Sequence, residues 1–239
     1  MDVFAKKLRS LSGLEQSDVS VLAEAARDAR TIQPGADIIG EGDDPDDLHL
    51  ILTGFAFRYK LTSSGRRQIF AYLLPGDFCD LHVALLEQMD HSIGTLSPCE
   101  VARIPRQKIL ALTNEHPRIA RALWMCNLVD EAVLREWVLN IGQRPAEQRI
   151  AHLFCEIHER LAAIDLAAEG SFSLPVPQSA LADTLGLSEV HVSRSLRALR
   201  EAGLVSISKQ VVHIPHMGKL KRHADFDPAY LHLRNRASS

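Results

Sequence analysis

The chain lacks several features that would place it in a specialised class of protein. Its four widely spaced cysteines include no CxxC pair, which argues against a disulfide framework and a zinc ribbon. It has no apolar run of about 18 residues and no signal-peptide core near its start, so we expect a cytoplasmic protein without membrane contact. P-loop, HExxH and Ser-His-Asp patterns are also missing, so nothing in the chain favours an enzyme.

What is present describes an ordinary globular protein. The 239 residues are 46% hydrophobic and 24% charged, enough for one large or two modest domains. The net charge is −3, and it is unevenly distributed: residues 1–143 carry −5, residues 144–217 carry −1 and residues 218–239 carry +3. Attraction to a polyanion would therefore have to come from a local basic face.

The stretch Gln178–Leu204 has the pattern of two short helices joined by a tight turn. Gly186 stands where such a turn needs a left-handed backbone, and Ser188 is suited to cap a second helix over 188–202. Apolar residues of this helix recur at helical spacing on one face: Val192, Leu196 and Leu199. The pattern predicts a helix-turn-helix that places its second helix in the DNA major groove; a plain amphipathic hairpin is the alternative.

The residues after this motif favour the winged variety of helix-turn-helix. Gly203 is placed to end the second helix, and two short β-prone runs follow at 204–207 and 211–214. Ser208, Lys209 and Gln210 would form the turn between them. A hairpin that only covers the helices would be compatible with the same function.

The region from about Gly35 to Pro105 is predicted to be a β-domain. Short β-type segments alternate with turn residues, and Gly54, Gly65 and Gly76 recur every 11 residues. This spacing is typical of strands joined by turns in a jelly roll or barrel.

A long helix is predicted from Pro117 to Ile141, with Gly142 at its end. Its apolar residues are too many for one stripe, which suggests that one face packs on the β-domain and the other on a second copy of the helix. The second face is assigned these dimer-helix residues: Trp124, Asn127, Glu131, Leu134 and Val138. A helix buried entirely within one chain is the alternative.

In this order, these parts resemble the Crp/Fnr family of bacterial transcription regulators over nearly the full chain. The resemblance rests on four motifs taken together: PGDF at 75–78, CEVARIPRQKI at 99–109, RIA at 149–151 and LGLSxxxVSR at 185–194. It implies an α+β fold with an N-terminal cyclic-nucleotide-binding-like β-roll (jelly roll), a dimerisation helix and a C-terminal winged helix-turn-helix. We therefore expect segments 1–116, 117–143, 144–217 and a tail 218–239. It also implies a homodimer that binds a two-fold symmetric DNA site, and RNA polymerase as a partner if the protein is an activator.

The resemblance assigns roles to the second helix, with one departure. Arg194 matches the family's base-reading arginine, and Ser193 matches a serine of the oxygen-sensing branch. Val190 stands where family members place a glutamate; it cannot accept a hydrogen bond from cytosine but can contact a thymine methyl. The predicted base-reading set is Glu189, Val190, His191, Ser193 and Arg194. The predicted phosphate set is Gln178, Ser179, Arg197 and Arg200, although Gln178 and Ser179 could instead only cap the first helix.

The effector pocket departs further from the family pattern. Leu81 and His91-Ser92 stand where the cyclic-AMP-binding branch has a glutamate and an arginine-serine pair, so cyclic AMP is not expected. No cysteine precedes Cys79, so an iron–sulfur cluster is not expected either. The predicted effector pocket consists of Asp80, Leu81, His82, His91 and Ser92. Haem or metal binding by Cys79 and its neighbours is conceivable, but we interpret Cys79 as buried and the histidines as surface or interface groups; no metal site and no cofactor is assigned.

Two other classes of function stay open at this point. One is a ligand-binding or regulatory-subunit module that uses the β-roll without reading DNA. The other is an enzyme with its active site in the β-roll, as some jelly-roll proteins have when they bind metal.

Overall fold

The structure is a computed structural model that describes residues 2–11, 13–26, 28–81 and 85–233. The helices are α1 Asp2–Leu11, α2 Gln16–Ala25, α3 Arg106–Glu115, α4 Pro117–Gln143, α5 Ala146–Ala162, α6 Gln178–Leu185, α7 Glu189–Glu201 and α8 Met217–Ala224. The strands are β1 Asp28–Ile32, β2 Asp37–Ile39, β3 Asp47–Thr53, β4 Ala56–Leu61, β5 Arg67–Leu73, β6 Ser92–Thr95, β7 Cys99–Pro105, β8 Ala167–Ala168, β9 Ser171–Ser173, β10 Ser206–Ser208 and β11 Val211–His213. A 3-10 turn, Pro228–Leu231, follows α8. Within these residues no helix has the length and apolarity that a bilayer crossing requires.

Strands β1–β7 form the predicted β-roll from two antiparallel sheets. Their strand orders are β1-β7-β3 and β2-β6-β4-β5, and a bridge between Leu50 and Phe78 adds a further contact. Gly54 makes the turn after β3 with a φ of 88°, and a Cβ there would lie 2.3 Å from the carbonyl oxygen of Pro98. The turn therefore requires glycine both for its left-handed backbone and for the close approach. The predicted α+β class is confirmed.

His49 makes the stability of the β-roll depend on pH. Burial, with the charges of Arg30 and Arg103, lowers the pKa of His49 to about 4 from 6.5, although Asp47 acts in the opposite direction. The folded chain therefore binds this proton less readily than the unfolded chain does. The contribution of neutral His49 to the free energy of unfolding is fully present above about pH 6.5. It is lost as the pH falls from about 6.5 towards 4.

We predict that His49→Gln removes part of this acid sensitivity. Between pH 7 and pH 5 the free energy of unfolding of the wild type should fall by about 2 kcal/mol more than that of the variant. Urea unfolding at both pH values measures the difference. The exposed His213, changed to Gln, is the matched control and should leave the pH dependence as in the wild type. An equal pH dependence in His49→Gln would contradict the assignment.

The long helix α4 has two different faces. One face is buried against the rest of the chain and includes Cys126, Val129, Val133 and Trp137. The other carries the predicted dimer-helix residues, and its apolar side chains are open: Trp124 and Val138 are each 67% exposed and Leu134 is 45% exposed. Glu131 is also exposed, and Asn127 is half-buried with its amide 3.4 Å from the Glu131 carboxylate.

Two details of the α4 region differ from the sequence prediction. The helix does not end at Gly142, because it continues to Gln143 and Gly142 is helical. Helical spacing from Leu134 and Val138 would place Ile141 on the same side as these two residues. Ile141 is half-buried and lies next to the turn of the helix-turn-helix, where a Cβ on Gly186 would be 3.6 Å from its Cγ2 atom.

The C-terminal region contains the predicted hairpin within a larger sheet. Strands β10 and β11 pair across a turn in which Lys209 and Gln210 both have positive φ values, 48° and 62°. The antiparallel order is β10-β11-β9-β8, so two strands that precede α6 extend the wing. The sequence analysis did not predict β8 and β9, which are only two and three residues long.

Candidate nucleic-acid interface

Helices α6 and α7 are joined by the tight turn that the sequence predicts. Gly186 ends α6 with a left-handed backbone, φ 62° and ψ 38°. Ser188 caps α7, and its hydroxyl accepts a hydrogen bond from the backbone N–H of His191 at 3.3 Å. The inward residues of α7 are buried as expected: Val192, Leu196 and Leu199. Helix α7 therefore packs against the rest of the chain through one face only.

The opposite face of α7 presents the whole predicted base-reading set to solvent. All five residues are exposed, and the Val190 side chain is 68% exposed. In the part of the chain that the structure describes, no carboxylate forms an ion pair with Arg194. Arg197 on the same helix, by contrast, pairs with Glu201. An exposed guanidinium and an exposed valine lie near the N-terminal end of the helix, where recognition helices contact base edges.

His191 is oriented by its neighbour in the helix cap. Its Nδ1 atom lies 3.1 Å from the Ser188 hydroxyl, which already accepts the backbone N–H of His191. The hydroxyl proton can therefore be donated to Nδ1, which leaves Nε2–H as an outward donor in the neutral ring. Such a donor suits a phosphate oxygen or a base acceptor.

The residues of the predicted phosphate set differ in how freely their side chains reach solvent. Gln178 and Ser179 are exposed in the first turn of α6, whose cap residue is Pro177 and which has no side-chain capping bond. Simple capping by Gln178 or Ser179 is therefore not what the structure shows. Arg200 is exposed, whereas Arg197 donates to the Glu201 carboxylate at 2.8 Å. Because this pair is solvent-exposed, it contributes little to stability, and a phosphate can replace the carboxylate.

The sequence analysis missed a polar contact that joins α6 to the β-roll. The Tyr72 hydroxyl on β5 lies 2.6 Å from the Thr184 hydroxyl on α6, and both side chains are fully buried. Arg67 at the start of β5 forms an ion pair with Asp183 of α6 at 2.9 Å. The tyrosine ring also packs edge-on to Trp137 of α4 at 5.7 Å. The first helix of the helix-turn-helix therefore contacts the β-roll directly.

Asp77 of the PGDF motif connects three parts of the chain. Its carboxylate accepts hydrogen bonds from Lys7 on α1 and, at 2.7 Å, from Arg160 on α5. Burial alone would raise the pKa of Asp77, but the two cations and the backbone N–H of Leu74 lower it below its ordinary value. The carboxylate therefore stays ionised in the folded chain and ties the β-roll to α5.

The described members of the predicted effector pocket lie close together inside the β-roll. The His91 Nε2 atom is 3.7 Å from the Asp80 carboxylate, and its Nδ1 atom is 2.6 Å from Asp90. His91 is buried, so the expectation of a surface or interface histidine is wrong for it. The Ser92 hydroxyl accepts the backbone N–H of Glu41, and Leu81 is half-buried. His82 lies outside the described residues.

Arg58 is the pocket residue that the sequence analysis missed. It donates from β4 to the carbonyl oxygens of Cys79 and Phe78, at 2.7 and 3.2 Å, and to the carboxylate of Asp130 on α4 at 2.9 Å. Cys79 itself is buried as expected, and burial raises the pKa of its thiol. Arg58 thus links the backbone that directly precedes Asp80 of the predicted pocket to the long helix α4.

We predict that Gly186→Ala destabilises the protein through the backbone of the turn. The added Cβ would meet only ordinary contacts, so the cost comes from the left-handed conformation and should be about 1–2 kcal/mol. The matched control is Gly142→Ala inside α4, where open space and helical geometry predict a gain of about 0.5–1 kcal/mol. Thermal unfolding of both variants gives the comparison, and equal shifts of the same sign would contradict the turn assignment.

Comparisons with known proteins agree with this architecture. A family model described as a cyclic nucleotide-binding domain matches residues 29–116, and one described as a Crp-like helix-turn-helix domain matches residues 148–223. The transcriptional activator protein FnrL of Cereibacter sphaeroides is 30% identical over 203 residues, which cover 83% of this chain and 81% of FnrL. The nitrogen fixation regulation protein FixK of Azorhizobium caulinodans is 27% identical over 172 residues, covering 72% and 68%.

Solved structures give the same result. FixK2 from Bradyrhizobium japonicum superposes with a TM-score of 0.74 at 25% identity, over 82% of this chain and 96% of that one. The order of β-roll, long helix and helix-turn-helix is therefore shared along most of both chains. The match supports a DNA-binding regulator and not an enzyme. On its motifs, its fold and its relatives, the chain belongs to the Crp/Fnr family of transcription regulators.

Proposed function

We propose that this regulator works as a homodimer whose two long helices pack together. The support is the open apolar face of α4, where Trp124, Leu134 and Val138 are exposed along one side of a 27-residue helix. Contiguous exposed apolar surface of this kind marks protein–protein contact. The half-buried Asn127 and the exposed Glu131 would set the register of the pair at some cost in stability.

The base-reading set would then read two half-sites related by the dimer axis. Arg194 suits a bidentate contact with guanine O6 and N7, and Val190 suits the C5-methyl group of a thymine. His191 supplies an outward N–H donor, with Glu189 and Ser193 beside it. The phosphate set would position the helix on the backbone. The observation that carries this proposal is that all five residues of the base-reading set are exposed on α7, while the opposite face of this helix is buried.

Selection of duplexes from a random DNA pool by the purified protein, at about 0.15 M salt, tests this function. We expect enrichment of an inverted repeat with half-sites about one helical turn, 10–10.5 base pairs, apart. Enrichment of single, unpaired sites would contradict the dimeric arrangement. If nothing is enriched, the selection is repeated with cell extract; enrichment only then would identify an effector-gated reader, and none at all would reject the proposal.

We further propose that the β-roll reads the signal at the pocket formed by Asp80, Leu81, His91 and Ser92. Arg58 would carry the response, because it donates to the backbone carbonyls of Phe78 and Cys79, next to Asp80, and pairs with Asp130 of α4. Segments 1–116, 117–143, 144–217 and 218–239 would then serve as sensor, dimer helix, reader and tail. We also propose that the protein works in the cytoplasm, where its DNA target would be, and that RNA polymerase is its partner if it is an activator.

A further inference from the structure

The C-terminal segment 225–231, called here the strap, lies beyond the matched helix-turn-helix model, which ends at residue 223. After α8 the chain turns at Asp225, which has a φ of 50°. The Phe226 and Leu231 side chains are then buried, at 8% and 1% exposure. The Asp227 carboxylate accepts the N–H of Ala229 and caps the 3-10 turn. The strap is therefore an ordered segment with its own cap, and it is docked on the protein.

The strap contacts both the long helix α4 and the helix α5 that follows it. Its 3-10 turn packs against α4 and α5. The His152 ring of α5 lies edge-on to Phe226 at 5.0 Å and parallel to Tyr230 at 6.0 Å. Arg144, between α4 and α5, donates to the carbonyl oxygen of Asp225 at 3.2 Å and pairs with Glu136 of α4 at 2.8 Å. The strap thus spans the junction between α4 and α5. Segment 144–217 would rotate about this junction relative to the dimer helix α4.

One buried carboxylate joins all three elements. Glu156 of α5 is fully buried and accepts hydrogen bonds from Trp137 of α4 at 2.8 Å and from the Tyr230 hydroxyl at 3.0 Å. Arg160 of α5 donates to its other oxygen at 3.1 Å. A buried carboxylate is costly without such donors, so the geometry of α4, α5 and the strap is mutually constrained.

We propose that the strap sets the angle between α4 and α5, and thereby the spacing between half-sites that the dimer accepts. Tyr230 is a positioning residue in this arrangement, since it acts through Glu156 and does not contact DNA. The inference rests on the proposed dimeric reading of an inverted repeat. Base pairs follow one another at about 3.4 Å along the duplex, so a change of about that amount in the distance between the two recognition helices changes the preferred spacing by one base pair.

The test uses the full chain and duplexes made from the selected inverted repeat, with the spacer lengthened or shortened by one or two base pairs. Tyr230→Phe removes one hydrogen bond to Glu156 and keeps the ring. Leu231→Ala loosens the packing of the strap. Ala229→Ser changes an exposed residue of the same turn and is the matched control. Affinity for every spacer, and for a single half-site, is measured for each protein.

For the wild type we expect one preferred spacer and a steep loss on either side. Tyr230→Phe and Leu231→Ala should lower the preference over a spacer shifted by one base pair by about five- to tenfold, and leave single half-site affinity unchanged. Ala229→Ser should keep the wild-type profile. The change in profile separates positioning from a general loss of stability, which would reduce binding equally at every spacer.

An unchanged spacer profile in Tyr230→Phe would overturn the inference, and so would an equal loss at all spacers. If Leu231→Ala does not fold, Tyr230→Phe decides the question alone, because it keeps the half-buried ring. A wild type that binds no inverted repeat at any spacing would overturn the proposed function itself, and the strap's role with it. That result is recognisable before any variant is measured.

Discussion

Arg194→Ala is expected to remove much of the discrimination between the operator and unrelated DNA. A bidentate arginine–guanine contact contributes roughly 1–3 kcal/mol, so a dimer that loses it in both half-sites should lose about 2–6 kcal/mol of specific binding free energy. Arg194 is exposed on α7, so its removal leaves the buried face of the helix intact. The measurement is equilibrium binding to the selected duplex and to a scrambled one. Specific affinity should fall towards the non-specific level.

Two other arginine variants control for charge alone. Arg30→Ala removes an exposed cation of the β-roll and should leave DNA affinity close to that of the wild type. Arg200→Ala removes a predicted phosphate contact in each half-site, so it should weaken binding to both duplexes alike and lower the salt slope by about two. If Arg194→Ala behaves as Arg200→Ala does, Arg194 contacts phosphate and does not read a base.

Val138→Asp is expected to separate the dimer. Val138 is two-thirds exposed on the open face of α4, and in a pair of helices the substitution would bring two carboxylates into one apolar contact. Burying unpaired like charges costs several kcal/mol. Sedimentation should then show the mass of a single chain at micromolar concentration. Because two linked half-site contacts raise affinity by about 10²–10⁴-fold, binding to the inverted repeat should fall by a comparable factor.

The matched control for this variant is Leu85→Asp. Leu85 is 81% exposed and lies before β6, outside the open face of α4. The same kind of charge is added there, so mass and DNA affinity should be as in the wild type. A Val138→Asp protein that remains dimeric would place the interface elsewhere, whereas two monomeric variants would indicate a general effect of added charge.

The helix-turn-helix was predictable from the sequence because the residues that indicate it lie close together in the chain. Gly186, Ser188 and the spacing of Val192 and Leu199 lie within 14 residues, and each has a direct conformational meaning. The two faces of α4 were predictable for a similar reason, since helical periodicity sorts side chains without knowledge of their partners. The roles of the exposed residues in DNA reading and dimerisation stay predictions.

Other features depend on contacts between distant parts of the chain. Polar and apolar residues alternate along β4, so the sequence favours a solvated Arg58 side chain. Only the folded structure shows that its guanidinium donates to Asp130. Strands β8 and β9 are too short to show a period of two. The docking of the strap requires Glu156 and Tyr230, which are 74 residues apart. None of these pairings has a signature in a single sequence.

The hydroxyl pair of Tyr72 and Thr184 has a thermodynamic consequence for the regulator. It gives the chain a direct link between the β-roll and α6, in addition to the one through α4. If a ligand alters β5 differently in the free and the DNA-bound protein, it changes the free energy of DNA binding. Linkage is reciprocal, so occupancy of the operator must change the affinity of the β-roll for its ligand by the same factor. A regulator on its operator is then a different sensor from the same regulator free in solution.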